Sequence, residues 1–174
     1  MVRSFPEGAE KSTKFLSHLK NFLMRPGKRF RPALLFMTYK GLGGIDDDSA
    51  LTAGIATEFI HAYLLIHDDI IDEDTLRRGG PAMHEMYRLL FSKKAALDSK
   101  SSSQHARHVG ESMGIIAGDI LQTFASDVIA DLHIDADKKL RLYAELNKMT
   151  QRAAFGEMIE VWKGLTEKMT EEDI

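Results

Sequence analysis

The chain contains no cysteine in 174 residues. That excludes disulfides and thiolate chemistry, and it fits a reducing cytoplasm, the location expected for this chain. Proline is scarce, at four residues, and aromatics make up only 8%, while Leu, Ala, Met and Ile dominate the apolar set. That composition belongs to helices, not to a sandwich or barrel. Neither sign of charge prevails: 23 basic residues stand against 26 acidic ones, a net −3. There is accordingly no basic field to hold nucleic acid. No uninterrupted apolar run reaches the length of a membrane span, and the N-terminus lacks the apolar core of a signal peptide. Stable membrane insertion is not expected. What the chain does have is a 44% share of hydrophobic residues, enough for the core of one ordinary domain.

Apolar residues recur at helical spacing, and nothing reads as a strand or an internal repeat. Phe15, Leu16, Leu19, Phe22 and Leu23 define a first helix from Ala9 to Met24, which Pro26 and Gly27 end. A second opens behind the basic cluster Lys28, Arg29 and Arg31 and stops at Gly41, Gly43 and Gly44. Asp46, Asp47 and Asp48 start a third, expected over 48–74, apolar on most sides and therefore central. A short helix is expected over 82–91, followed by a polar surface loop, SKKAALDSKSSSQHARH, over 92–108. The next helix, over 109–132, carries Gly110, Gly114 and Gly118 at a strict four-residue spacing that permits close helix contact. A last one opens at Asp135 and Asp137 and runs to about Gly164, and the closing LTEKMTEEDI reads as a turn and the start of another element.

Chemistry concentrates between His61 and His84, HAYLLIHDDIIDEDTLRRGGPAMH. Asp68 and Asp72 are four residues apart, so on a helix both carboxylates leave one face a turn apart and repel unless a cation neutralises them. Carboxylate oxygens suit Mg²⁺ shared with substrate phosphates. Arg77 and Arg78 stand before a Gly-Gly-Pro turn, and their guanidinium forks suit phosphate oxygens. His61 lies seven residues before Asp68, two turns along the same face. Each group also has an ordinary reading: a solvated helix end for the acids, a basic C-terminal cap for the arginines, a satisfied core residue for His61, a solvated helix start for Lys28, Arg29 and Arg31. Glu58 and His61 form one Glu-x-x-His unit of the kind used in dimetal four-helix proteins, an architecture that needs two.

Taken together, Gly27-Lys28-Arg29-Phe30-Arg31-Pro32, His61, HDDIIDEDTLRRGGPAMH, Gly118-Asp119-Ile120-Leu121 and Gly156-Glu157 resemble, in order and spacing, the trans-isoprenyl diphosphate synthases (polyprenyl synthetases). The resemblance implies an all-α antiparallel helical bundle of the isoprenoid synthase type, with residues 1–174 supplying its N-terminal part. It implies that Asp68 and Asp72, aided by Asp69, bind Mg²⁺ bridging the diphosphate of an allylic substrate, and that Arg77 contacts the same diphosphate. Lys28, Arg31, His61 and Arg78 would bind the diphosphate of isopentenyl diphosphate, with Arg29 a neighbour. In this family the allylic C–O bond ionises, the double bond of isopentenyl diphosphate attacks the cation, and a proton is lost. Tyr63 and Leu64, just before the aspartates, would form the floor of the product pocket. An aromatic there, with no insertion between Asp68 and Arg77, resembles short-chain geranylgeranyl- or farnesyl-forming enzymes.

The family's Gly-Gln-x-x-Asp stands here as Gly156-Glu157-Met158-Ile159-Glu160, and its second aspartate-rich motif has no counterpart in the sequence. A homodimer, or a heteromer with a chain carrying that motif, is therefore expected, and a non-catalytic subunit of a split synthase is the alternative.

Overall fold

A computed structural model describes residues 9–98 and 103–166. Its helices are α1 (Ala9–Leu23), α2 (Phe30–Gly41), α3 (Asp47–Ile71), α4 (Met83–Asp98), α5 (Ser103–Ala130) and α6 (Ala136–Thr166), with a two-stranded ribbon, β1 (Leu76–Arg77) and β2 (Gly80–Pro81), between α3 and α4. The all-α class of the isoprenoid synthases is the one observed. Most of LTEKMTEEDI and part of the serine run lie outside the described residues.

α3 is the axis. Asp46 caps it, its side chain accepting from Ser49 N at 3.0 Å, and Ala50, Gly54, Ala56, Ile60, Ala62, Ile66 and Asp69 are buried along its length. It packs against α2 and α5, and α4 packs on the other part of α5. The larger core joins Leu19 and Phe22 of α1 to Ala62, Ile66, Met83, Ala117 and Leu121, and a second cluster joins Ile60 to Ala125, Ile129 and Leu146. By length and composition α3 and α5 each match a membrane span. Each buries a third of that stretch, and the two face one another across small residues.

Those small residues are the glycine ladder. A methyl added at Gly110 would stand 2.5 Å from the His84 carbonyl oxygen, at Gly114 2.7 Å from Ile70 Cδ1, and at Gly118 2.3 Å from His67 Nε2. Real carbons do not approach that closely, so the spacing read from the sequence is the track on which α3 and α4 press against α5.

Three local expectations need correction. α3 stops at Ile71, not near Asp74, because the chain closes in a Schellman turn: Glu73 takes φ 57°, Asp74 N donates to Asp69 O at 2.9 Å and Glu73 N to Ile70 O. The Arg-Arg-Gly-Gly-Pro segment is a strand pair, Leu76 opposite Pro81 and Arg77 opposite Gly80. Arg78 (φ 51°) and Gly79 (φ 75°) hold its centre, and positive φ at both central residues is what a type I′ hairpin requires. The polar stretch over 92–108 is helical wherever it is described, α4 running to Asp98 and α5 beginning at Ser103. Lys and Ala are good helix formers whatever their polarity, and Ala106 is buried while the Phe91 and His105 rings meet edge-on at 5.2 Å.

Candidate active site

The C-terminal turn of α3 presents Asp68 and Asp72 together. Burial first, and then the Asp72 charge, hold the Asp68 carboxyl above its usual range, against the opposing pull of Arg77 and His67. Glu157 of α6 faces the same acids and is raised in turn by burial, by Asp68 and Asp72, and by Glu160. The result is a concentration of hard oxygen donors carrying more negative charge than the nearby bases offset. Mg²⁺ fits such a set, because it takes one or two carboxylates and keeps its other positions for water and phosphate oxygens. Among the described residues no three His, Asp or Glu side chains form a ready-made cage, so a cation here would draw the rest of its ligands from water or substrate.

Asp69, expected to aid Asp68 and Asp72, does not face the same side and reaches them only through Arg77. Successive residues on a helix point about 100° apart, and Asp69 is turned inward and fully buried. Its Oδ1 accepts from Arg77 Nε at 2.5 Å and pairs with Arg77 Nη2 as well. Asp74 Oδ2 accepts from Arg77 Nη2 at 2.9 Å. Arg77 is thus oriented by two carboxylates beside the half-buried Asp68 and the exposed Asp72. The hairpin that carries it is pinned from below by Arg25, whose Nη1 donates to the carbonyls of Arg77 (3.1 Å) and Pro81 (2.7 Å). Sequence reasoning missed Arg25, a lone base before a proline with nothing in its spacing to mark it.

The basic group lies two turns back along α3. Arg31 Nη1 stands 3.3 Å from His61 Nε2. Burial, and then the Arg31 charge, hold the His61 imidazole below its ordinary pKa. Lys28 and Arg31 are exposed. Arg78 Nη2 reaches Glu58 Oε1 at 3.3 Å, while its Nη1 is buried with no partner among the described residues. Gly27 lies against that guanidinium, a methyl there standing in ordinary contact with its Cζ at 3.4 Å. Arg29 differs from the rest. Its side chain pairs with Glu58 and donates to the carbonyls of Leu23 and Arg25, tying α1 to α3, so it supports the cluster. Glu58 holds both Arg29 and Arg78 and is engaged, which removes the Glu58–His61 dimetal reading. Arg29, Glu73 and Arg78 are the non-glycine residues with positive φ among those described, and all three border this site.

Beside the acidic group, α3 and α6 line an open cavity of about 530 Å³ with Asp68 and Glu157 at its polar part and Tyr63, Leu64, Met158 and Trp162 among its walls. The Tyr63 ring stands edge-on to His67 at 4.8 Å. His67 is seated on Gly118, its Nε2 3.2 Å from the Ile115 carbonyl and 3.9 Å from Asp119, which explains the Gly-Asp pair on α5. The α6 wall was not foreseen. The signal was a run of outward-facing Phe155, Met158, Val161 and Trp162 beside Glu157, on a helix otherwise rich in charge.

The chain is 36% identical over 121 residues to the short chain isoprenyl diphosphate synthase of Methanocaldococcus jannaschii, covering 70% of this chain and 30% of that protein. It is 35% identical over 147 residues to the farnesyl diphosphate synthase of Geobacillus stearothermophilus, covering 82% and 41%. The fold superposes on the geranylgeranyl pyrophosphate synthase of Corynebacterium glutamicum, solved with isoprenyl diphosphate and magnesium, with a TM-score of 0.77 at 27% identity, covering 94% of this chain and 45% of that one. The chain therefore spans less than half the length of each of these relatives. The polyprenyl synthetase profile matches residues 13–173, and the chain belongs to that family.

Proposed function

We propose that this chain supplies one wall of a prenyltransferase that joins an allylic diphosphate to isopentenyl diphosphate, with Mg²⁺ as cofactor and a C15–C20 product. The observation that carries it is the division of the site: an acidic pair, Asp68 and Asp72, with Arg77 fixed beside it, and a separate basic set, Lys28, Arg31, His61 and Arg78, two turns along the same helix. Two diphosphates with different fates need two such places. At the first, the C–O bond of the allylic substrate breaks and the diphosphate leaves with the electron pair. Arg77, held by Asp69 and Asp74, faces that developing charge, and preorganised donors of this kind lower the barrier to ionisation. Bound Mg²⁺ would supply Lewis-acid stabilisation of the same leaving group through Asp68 and Asp72. At the second, the exposed Lys28 and Arg31, with His61 and Arg78 beside them, receive the diphosphate of the nucleophile, whose double bond forms the new C–C bond before a proton departs. The apolar walls of the α3–α6 cavity would shield the carbocation from water on that side.

The second aspartate-rich motif, absent from these 174 residues, is supplied on a separate chain in the test that follows. The cytoplasm is the compartment that fits a chain without cysteine. The test is incubation of the chain, with a chain carrying the second motif, Mg²⁺, labelled isopentenyl diphosphate and an allylic primer. Condensation is expected, and Asp68→Ala is expected to lower it by at least about a hundredfold, the scale of losing one main electrostatic contributor. Binding of neither diphosphate nor Mg²⁺ by the reconstituted complex would overturn the reading.

A further inference from the structure

The imidazole of His67 is held between α5 and Tyr63, and neither the cation nor the diphosphate chemistry above uses it. Its Nε2 stands 3.2 Å from the Ile115 carbonyl. A carbonyl oxygen only accepts, so Nε2 carries the proton and donates it there, which fixes the ring's rotation. Gly118 admits the ring: a carbon added to it would lie 2.3 Å from Nε2 and 2.5 Å from Cδ2. Both of those atoms end a side chain, so an alanine at 118 would push the imidazole aside and leave the backbone in place. From its seat the imidazole meets Tyr63, four residues earlier and one turn along the same face of α3. The ring centroids are 4.8 Å apart and the planes cross at 72°, the edge-to-face arrangement that aromatic rings favour. Tyr63 is half-buried and packs against both core clusters, and His67 braces it from the side of the acids. Both rings line the α3–α6 cavity, whereas Gly118 and Ile115 are not among its walls.

We propose that His67 is a positioning residue for Tyr63: pinned to α5 over Gly118, it holds the Tyr63 ring in the cavity and so sets how far a growing prenyl chain descends. His67 acts through Tyr63 in this scheme and not through Asp68. The inference rests on the prenyltransferase reading, with Tyr63 as the floor of the product pocket.

Two substitutions test it. Gly118→Ala displaces the imidazole without altering any residue that lines the cavity, and His67→Ala removes the imidazole outright. Each is made in the full chain and combined with a chain carrying the second aspartate-rich motif, Mg²⁺, labelled isopentenyl diphosphate and an allylic primer. Each is expected to raise the ratio of products one isoprene unit longer by roughly threefold to tenfold, the factor to which an edge-to-face ring pair corresponds. In a Tyr63→Ala background neither substitution should move the ratio further, because the coupling has lost its carrier. Unchanged product length in both variants, or an undiminished shift without Tyr63, would overturn the proposal. A second readout needs no substrate. In the full chain with labelled tyrosine and histidine rings, a nuclear Overhauser contact between Tyr63 and His67 ring protons is expected in the parent. It should be lost in Gly118→Ala, and the Tyr63 ring should flip faster there. A Tyr63 ring with the same resonances and flip rate in parent and Gly118→Ala overturns the proposal even where product length changes. If the reconstituted parent makes no prenyl product, the prenyltransferase reading falls, while the ring spectra still decide whether His67 holds Tyr63.

Discussion

Asp68 and Asp69 are neighbours in sequence and opposites in environment. The first faces α6 and other acids across a cavity. The second is sealed in the core against a guanidinium eight residues on. Helical spacing made Asp68 and Asp72 legible as a pair, because four residues is one turn. Nothing periodic links Asp69 to Arg77, since a Schellman turn and a hairpin reverse the chain between them. For the same reason Glu58 was seen as half of a metal motif and not as the carboxylate that anchors Arg29 and Arg78. Tyr63 was legible, standing more than a turn below Asp68, and it lines the cavity with Leu64. If it is the floor of the product pocket, Tyr63→Ala removes a ring where a growing chain would press. The reconstituted enzyme is then expected to make products at least one isoprene unit longer. Radiochromatography of the dephosphorylated products checks this, and an unchanged length would move the floor elsewhere.

At the scale of elements, amphipathic periodicity found each helix, while its ends depended on features that periodicity does not encode. α4 and α5 extend into a stretch whose serines and lysines suggested a loop, because helices at a surface are themselves polar. The ribbon was missed because two-residue strands carry no alternation to detect. The glycine ladder was visible and is now specific. Gly110 faces backbone, which cannot rotate away, so Gly110→Ala is expected to destabilise the fold by about 1–3 kcal/mol, the usual cost of overpacking. Gly156, on α6, has nothing within 4 Å of an added methyl. Gly156→Ala should therefore stabilise by about 0.5–1 kcal/mol through helix propensity alone. Urea midpoints of the two variants and the parent test both signs in one series.

For the molecule as a whole, acidification is the informative variable. Burial is the largest cause holding His18, His61 and His84 below the ordinary histidine value. For each, the unfolded chain takes a proton at a pH where the folded chain resists it. Stability is therefore lost as pH falls through the unfolded value of 6.5 toward the lower folded one, and lost no further below that. The raised carboxyls of Asp68, Asp69 and Glu157 have the opposite sign. His18 lies away from them, its Nδ1 3.0 Å from the Tyr87 hydroxyl, so it isolates the histidine contribution. Unfolding free energies from about pH 8 down to about pH 5 should fall more steeply for the parent than for His18→Gln. Fold class and site location were readable from motifs and spacing over the whole chain. Charge coupling between helices was not, because it depends on which faces meet.

Trp162 stands in the α6 wall of the cavity, and it is the sole tryptophan of the chain. Under excitation selective for indole, emission from this protein therefore originates at one place, the rim where α6 faces Asp68. Any molecule that covers that rim changes the polarity around a single fluorophore, with no second indole to average against. The same geometry that makes the cavity a chemical site makes it a native optical probe, without a label.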